Sequence, residues 1–164
     1  LMEHDVAEAA VKQPEDRRSI AFRLRGNEVI TDCAGVLFWP DQSLLVVSDL
    51  HLEKGSSFAR RGMMVPPYDT GLTLTALAHC VNRYQPSTII SLGDSFHDTE
   101  AAARLPLKYQ EHLLALMSGR EWIWISGNHD PDAPADLPGT HAAELELGSL
   151  IFRHEPSAQY VRGE

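Results

Sequence analysis

The chain has 164 residues and a formal net charge of −9 at pH 7, which is enough length for one domain with its own core but too little for two ordinary domains. No apolar run is long enough to cross a bilayer, and no secretory signal begins the chain, so the sequence predicts a cytoplasmic protein. The net negative charge argues against a broad basic surface that binds nucleic acid non-specifically, but it does not exclude local binding of a phosphate.

The first forty residues predict short antiparallel hairpins. Residues 1–18 are polar and lack sustained periodicity, so we expect a flexible extension there, followed by a single folded domain over residues 19–164. Strand-like pieces follow at residues 21–24, 28–31 and 35–38, separated by the turn residues Gly26-Asn27 and Cys33-Ala34. We therefore predict two consecutive hairpins before residue 40.

Four continuous apolar runs follow, at residues 44–47, 88–92, 122–125 and 150–152. Such runs are typical of strands that are buried on both faces of a parallel or mixed sheet. Between them, residues 68–84 and two segments around Pro106 carry apolar side chains at helical spacing. The pattern predicts an α/β domain of the α+β type, with helices packed on a mixed sheet.

Polar residues suited to metal or proton chemistry stand at the carboxyl end of each apolar run. In chain order they are Asp49, His51, Asp94, Asn128 and His154. Ligands of open α/β sheets bind in the crevice beyond the carboxyl ends of the strands. We therefore expect the four loops to meet at one site.

The five residues form two donor sets that share Asp94. Asp49 and His51, two positions apart at a strand end, project to the same side and can hold one ion together with Asp94. Asn128 and His154 can hold a second ion with the other oxygen of Asp94. A nitrogen and oxygen donor set without thiolates favours manganese, iron or zinc. Two such ions roughly 4 Å apart would activate water and neutralise phosphoryl oxygens, so we expect phosphate-ester hydrolysis.

Other polar residues in the same loops are candidates for catalysis and substrate binding. His129 can stabilise developing charge or protonate the leaving oxygen, and Asp130 can orient its ring. Lys54, Arg60 and Arg61 follow the first loop and can contact substrate phosphates, with a solvated surface role as an equal alternative. A lone Asp-x-His or Gly-Asn more often binds only water or forms a turn, so the hypothesis depends on four ordered motifs occurring together.

In order and spacing, the loop residues resemble the signature of the calcineurin-like metallophosphoesterase superfamily: Asp49-Leu50-His51, Gly93-Asp94, Gly127-Asn128-His129-Asp130 and His154. The runs SDLHLEKGSSFARRG, LGDSFHD, WIWISGNHDP and FRHEP are similar, more narrowly, to the bacterial ligase-associated DNA-damage-response endonucleases. The resemblance covers residues 46–156.

The resemblance implies a fold, an activity and partners that the residues alone do not predict. The implied fold is a sandwich of two sheets flanked by helices. The implied chemistry is phosphodiester hydrolysis at a di-metal centre that is usually supplied with manganese, with single-stranded or damaged DNA as the substrate. The implied setting is DNA repair, in association with an ATP-dependent DNA ligase, a helicase and an exonuclease.

The sequence departs from the superfamily in two places. The Gly-His-x-His segment that completes the superfamily's metal site has no match, so the resemblance implies a domain truncated at its C-terminus, in which each ion lacks one ligand and a sheet edge is unpaired. Three positions after Asp94, where the superfamily carries an acidic residue, this chain has His97. We expect His97 beside the site, as a contact of the substrate or of a metal ligand.

Two other functions remain open at this stage. One is a phosphoesterase for nucleotides or other small phosphate esters, which the acidic charge favours over a nuclease. The other is a non-catalytic scaffold that keeps the phosphoesterase fold. The complete set from Asp49 to His154 argues against the scaffold, because a scaffold does not need catalytic residues, whereas the unmatched Gly-His-x-His segment argues for it.

Overall fold

The structure, a computed structural model, describes residues 18–62, 70–132, 134 and 136–157. Apart from Arg18, the predicted flexible extension lies outside the described residues, so that extension stays a prediction. In chain order the strands are β1 (Ser19–Leu24), β2 (Asn27–Asp32), β3 (Val36–Trp39), β4 (Leu44–Val47), β5 (Thr88–Leu92), β6 (Glu121–Ile125), β7 (Thr140–Ala142), β8 (Leu145–Leu147) and β9 (Leu150–Phe152). The helices are α1 (Lys54–Arg60), α2 (Thr70–Tyr84), α3 (Ala101–Arg104) and α4 (Leu107–Met117).

Seven strands form one mixed sheet in the order in which they occur along the chain. The first four strands, β1 to β4, pair antiparallel, as expected from the predicted hairpins. From β4 to β7 the pairing is parallel, and α2, α3 and α4 lie in the connections between these strands. The last two strands, β8 and β9, form a separate antiparallel hairpin. The mixed α/β fold is therefore confirmed.

The two faces of the large sheet are covered by different layers. Leu45 and Val47 of β4 pack in one core cluster with the buried faces of α2 and α4. The alternate residues Leu44 and Val46 belong to a second cluster that includes Phe152 of the β8–β9 hairpin. Because successive side chains of a strand point to opposite faces, one continuous apolar run supplies both clusters. Among the described residues, the second sheet of the sandwich is this two-stranded hairpin.

Three short elements, α1, β7 and β8, were not predicted from the sequence. The helix α1 spans seven residues and buries only Ser57, and β7 and β8 have three residues each. An isolated helix shorter than about 12 residues is marginal in water, so a segment of this length forms only where tertiary contacts hold it. The four predicted apolar runs, by contrast, are confirmed as β4, β5, β6 and β9.

The outer edge of the sheet is the least covered part of the described structure. Along β1, Ile20 is 70% exposed and Phe22 is 42% exposed. Phe22 pairs with Val29 of β2, which is completely buried on the same face. The apolar layer under the β8–β9 hairpin therefore ends between β2 and β1. None of the described helices is long and apolar enough to span a membrane.

Candidate metal centre

Parallel pairing brings the carboxyl ends of β4, β5 and β6 to one edge of the sheet. Val47 of β4 pairs with Ser91 of β5, and Leu92 of β5 pairs with Ile125 of β6. The three loops that carry the predicted ligands therefore begin at nearly the same level. The hairpin strand β9 ends at Phe152, and the next residues bring the fourth predicted loop to the same place.

The first two loops continue this pairing through backbone hydrogen bonds. The Asp49 N–H donates to the Gly93 carbonyl at 3.1 Å, and the His51 N–H donates to the Asp94 carbonyl at 2.9 Å. Asp49, His51 and Asp94 all have positive φ angles, of 55°, 44° and 49°. A left-handed conformation costs a residue with a side chain about 1–2 kcal/mol, and such strain is characteristic of functional sites. In this conformation the three side chains face one another.

The first predicted donor set is assembled around His51. Its Nε2 lies 3.7 Å from Asp49 Oδ1 and 3.8 Å from Asp94 Oδ2. These separations are too long for hydrogen bonds, although the three atoms face one another. The opposite ring atom, Nδ1, is buried and has no hydrogen-bond partner. The three facing atoms are spaced so that a divalent ion could lie among them, as expected for the first donor set.

The second donor set lies on the other side of Asp94. His154 Nε2 is 3.6 Å from Asp94 Oδ1, and His154 Nδ1 is 2.9 Å from the Leu92 carbonyl oxygen. A carbonyl only accepts hydrogen bonds, so Nδ1 carries the hydrogen and Nε2 presents a lone pair toward Asp94. A carbonyl partner of this kind is usual for a histidine that binds metal. The orientation of His154 therefore fits its predicted role as a ligand of the second ion.

Asn128, the third predicted member of this second set, is held by a residue that the sequence analysis missed. The Asn128 amide nitrogen donates to Glu155 Oε1 at 2.8 Å, which leaves the amide oxygen available as a ligand. Ligand atoms of Asp49, Asp94 and His154 lie within 4.8 Å of one another. The nitrogen and oxygen donors present thus fit a divalent transition metal. The only sequence signal for Glu155 is its position directly after a predicted ligand.

Asp94 is the centre of the arrangement. It is 5% exposed, and one carboxylate oxygen faces His51 while the other faces His154. The oxygen that faces His154 also accepts the backbone N–H of His129 at 3.0 Å. A carboxylate that bridges two ions requires this geometry, with one oxygen on each side.

The predicted contact between Asp130 and the ring of His129 is wrong. The Asp130 carboxylate instead accepts the backbone N–H groups of Asp94 at 2.9 Å and of Phe96 at 3.0 Å. Asp130 is 8% exposed; burial raises the pKa of its carboxyl, and the backbone donors oppose that shift. Asp130 therefore positions the Asp94 loop, and the buried N–H groups of that loop are the physical reason, because each needs an acceptor.

His129 is oriented by a different group. Its Nδ1 lies 3.1 Å from the His97 carbonyl oxygen, so Nδ1 carries a hydrogen. Its Nε2 is 4.0 Å from Asp94 Oδ2, and about half of the side chain is exposed. The exposed nitrogen that can exchange a proton with a substrate is therefore Nε2.

His97 lies directly beside His129, as expected for a residue near the site. The two rings are stacked with their centroids 5.2 Å apart and their planes 19° apart. His97 Nδ1 is buried without a hydrogen-bond partner. Burial lowers the pKa of the His97 ring, and the nearby charges of His129, His51 and Lys54 lower it further.

The three predicted phosphate contacts occupy different places on α1. Lys54 is its first residue, and its backbone N–H donates to the His51 carbonyl at 3.2 Å. Arg60 and Arg61 are at the opposite end, where Arg60 pairs with Glu100 at 2.6 Å. The structure thus brings Lys54 close to the metal centre, whereas the two arginines lie on a neighbouring surface.

Two further residues support the site without having been predicted. The Ser48 hydroxyl donates to Asp49 Oδ2 and so holds that carboxylate. Gly127 packs so closely that a Cβ atom would lie 2.2 Å from the backbone nitrogen of Asp94. The sequence contains Gly127 within a recognised motif, but only the packing shows why no larger residue fits there.

Comparisons with known proteins agree with the mixed α/β fold. The fold is similar to that of the crystal structure of Pseudomonas putida nuclease MPE, with a TM-score of 0.59 and 22% sequence identity over 76% of this chain and 59% of that chain. The chain therefore spans less than two thirds of that protein. A search of curated protein sequences finds no match. The sequence pattern of the calcineurin-like phosphoesterases matches residues 43–163, so the chain belongs to the calcineurin-like phosphoesterase family.

Proposed function

We propose that the chain is a two-metal phosphodiesterase that acts on nucleic acid. The observation that carries the proposal is the position of Asp94, whose two carboxylate oxygens each face a different imidazole nitrogen, of His51 and of His154. Divalent ions in such a site supply positive charge for a phosphoryl transition state and promote loss of a proton from water. Asp49, His51 and Asp94 would hold one ion, and Asp94, Asn128 and His154 the other.

His129 is the proposed general acid. The hydrogen bond from Nδ1 to the His97 carbonyl holds the ring, so that a proton on Nε2 can be given to the leaving oxygen of the substrate. The stacked ring of His97 keeps His129 from turning away and forms part of the wall that a substrate would contact. Asp130 holds the Asp94 loop rather than taking part in proton transfer.

The proposal extends to the metal, the substrate and the setting. The donor set of nitrogen and oxygen without thiolate suits manganese, iron or zinc, and of these we propose manganese, because the loop motifs resemble a family whose site is usually supplied with it. The similarity in fold to the Pseudomonas putida nuclease favours a polynucleotide substrate. A role in DNA repair in the cytoplasm, beside a DNA ligase, a helicase and an exonuclease, remains part of the proposal and rests on the resemblance of the loop motifs.

A second candidate is hydrolysis of nucleotides or other small phosphate esters. The net charge of −9 favours it, because an acidic protein repels long polyanions unless local cations offset that charge. Both candidates need the same metal centre. They differ only in what lies beyond the phosphate that reacts.

The first test is manganese-dependent hydrolysis of bis-p-nitrophenyl phosphate by the chain and by Asp94→Asn. We expect Asp94→Asn to abolish hydrolysis and to weaken manganese binding in calorimetric titration, because both ions lose a ligand. The matched control is Asp41→Asn, an exposed carboxylate in the turn before β4, which we expect to change neither. Absence of manganese-dependent hydrolysis in the folded, metal-loaded chain would contradict the proposed reaction.

A second test isolates the general acid. For a dinucleotide, whose leaving group is a strongly basic alcohol, we expect His129→Ala to lower kcat about 10²–10⁴-fold. For bis-p-nitrophenyl phosphate, whose leaving group is weakly basic, we expect a much smaller loss. The exposed residue His79 of α2 provides the control variant His79→Ala. Equal losses on both substrates would show that His129 does not protonate the leaving oxygen.

A further inference from the structure

A pocket of about 290 Å³ lies between the end of α1 and the loop before α3. It is lined by Ser57, Arg60, Arg61, Asp98, Thr99 and Glu100. None of these residues is among the predicted metal ligands. We refer to this cavity as the arginine pocket.

The arginine pocket is separated from the proposed general acid by a single aromatic layer. The ring centroid of His97 is 5.2 Å from that of His129 on one side and 5.4 Å from that of Phe58 on the other. Phe58 lies in α1 between two residues that line the pocket, and Asp98 directly follows His97. The arginine pocket therefore adjoins the aromatic wall beside the proposed general acid.

The charges of the pocket favour an anion, although the protein as a whole is acidic. The negative charge of Asp98 is offset by Arg104, which donates to both carboxylate oxygens at 2.9 and 2.8 Å. The side chain of Arg61, which is exposed at the end of α1, has no ion pair or hydrogen bond among the described residues, and only its backbone N–H is bonded, to the Phe58 carbonyl. Guanidinium groups bind phosphate oxygens in a bidentate manner, so Arg61 is a suitable and available ligand.

Arg60 can join Arg61 at small cost. Its present partner is Glu100, and the two side chains are 56% and 66% exposed. A surface ion pair of this kind contributes little to stability, so a phosphate can compete with Glu100 for the guanidinium. The Thr99 hydroxyl offers a further donor at the rim of the pocket.

We propose that the arginine pocket binds a second phosphate of a polynucleotide, one that neighbours the phosphodiester at the metal centre. This inference rests on the proposed function and makes its substrate more specific. It explains how an acidic chain holds a polyanion, because two arginines supply a local attraction beside the reacting group. A mononucleotide or small diester has no second phosphate at that distance and gains nothing from the pocket.

The test compares a short single-stranded oligonucleotide with bis-p-nitrophenyl phosphate in manganese. For Arg61→Ala we expect the ratio of the two kcat/KM values, oligonucleotide over small diester, to fall about tenfold, mostly through KM for the oligonucleotide. The salt dependence of oligonucleotide binding, measured by fluorescence anisotropy, should weaken by about 0.7 in logarithmic slope for the lost contact. Glu100→Gln releases Arg60 and should tighten oligonucleotide binding.

The matched control is Arg23→Ala, an exposed arginine of β1 that belongs to no site. An Arg61→Ala variant that keeps the wild-type ratio and salt slope, or that matches Arg23→Ala in both, would overturn the inference. So would a wild-type chain that hydrolyses the small diester but does not bind the oligonucleotide, and that result would leave the proposed reaction standing. Failure of the wild type to hydrolyse the small diester would instead remove the proposed function.

Discussion

The two halves of the seven-stranded sheet differ in how firmly they are packed. In the parallel half, all four residues of β4 are buried and β5 is buried over its centre. In the antiparallel half, five of the six residues of β1 are exposed. The candidate ligands Asp49, His51 and Asp94, which all have positive φ angles, extend from the parallel half. Backbone strain persists only where the surroundings over-determine the conformation, so the firm half of the sheet is the half that can carry the site.

The largest expected effect is that of Gly127→Ala, which adds one methyl group in the parallel half. In Gly127→Ala, the new Cβ would lie 2.2 Å from the Asp94 backbone nitrogen and 2.6 Å from Asp130 Oδ1. We expect loss of manganese-dependent hydrolysis and a decrease of about 3 kcal/mol in the free energy of unfolding, because the atoms that must move are backbone and buried carboxylates. Urea denaturation and the diester assay measure the two effects.

Gly35→Ala is the matched change in the antiparallel half. Gly35 has a φ of 83°, and a Cβ there would meet no atom within 4 Å. We expect only the cost of a left-handed alanine, about 1–2 kcal/mol, with hydrolysis retained. Loss of activity in both variants would show that the two halves are coupled more tightly than their packing indicates.

Truncation of an apolar side chain compares the packing of the halves directly. Ile90 of β5 is completely buried, whereas Phe22 of β1 is 42% exposed. We expect Ile90→Ala to lower the free energy of unfolding by about 2–5 kcal/mol. Phe22→Ala should lower the free energy of unfolding by less than about 1 kcal/mol, because a large part of the Phe22 side chain already contacts water in the folded state. Equal losses in urea denaturation would mean that β1 is covered by other parts of the protein in solution.

The next effect is electrostatic and concerns the loop that leads to the arginine pocket. The bidentate hydrogen bonds from Arg104 hold the pKa of the Asp98 carboxyl well below its usual range. Because the pKa in the folded state is depressed, the stabilisation is complete above the unfolded value of about 4 and is lost as pH falls toward the folded value. We expect Asp98→Asn to lower stability by about 1–2 kcal/mol at pH 7 and progressively less below pH about 4.

Asp32 in β2 is the corresponding carboxylate of the antiparallel half. Burial raises the pKa of Asp32, but hydrogen bonds from Ala34 and Tyr84 outweigh it, and the net shift is downward. We expect the same sign of pH dependence for Asp32→Asn with a smaller amplitude, because burial opposes the stabilising contacts. Thermal denaturation between pH 3 and pH 7 compares the two variants. A larger pH-dependent loss of stability in Asp32→Asn than in Asp98→Asn would mean that the carboxylate of the antiparallel half contributes more to stability.

A small effect on stability is also expected for Tyr84→Phe. The Tyr84 hydroxyl donates to Asp32 at 2.7 Å, while its ring stacks on Phe38 with centroids 4.8 Å apart. Phenylalanine keeps the stacking, so we expect a loss of about 1 kcal/mol without change in hydrolysis. Burial and this hydrogen bond raise the pKa of Tyr84 to about 12. The contribution is therefore complete below the unfolded value of about 10 and is lost as pH rises toward 12.

The strands and helices that were predicted correctly have strong local signals. The runs that form β4, β5 and β6 are continuous and apolar, because each strand must fill the core on both faces of the sheet. The helix α2 buries Leu74, Leu77 and Val81, three residues at the predicted helical spacing. The helix α1 has no such pattern, since its contacts come from the loop after Asp94 and from α3 rather than from its own periodicity.

The candidate ligands could be read from the sequence because their chemistry and order are local properties. Asp49, His51, Asp94, Asn128 and His154 each follow an apolar run. Parallel pairing of β4, β5 and β6 leaves one edge on which the first four can meet, and the separate β8–β9 hairpin brings His154 to the same edge. Proximity along the chain also led to the one wrong assignment, in which Asp130 was paired with its neighbour His129. Adjacent residues of a turn point in different directions, so sequence distance is a poor guide to side-chain contact.

The sequence by itself determined the family and the mixed sheet and supplied the candidate donor residues, because burial pattern and motif order are local properties of the chain. Only the tertiary structure decided which atom each donor presents. Leu92 selects Nε2 of His154, Glu155 frees the amide oxygen of Asn128, and the His97 carbonyl selects Nε2 of His129. Each of these partners is at least 27 residues away in sequence. Hydrogen-bond direction depends on neighbours in space, and a linear pattern does not contain them.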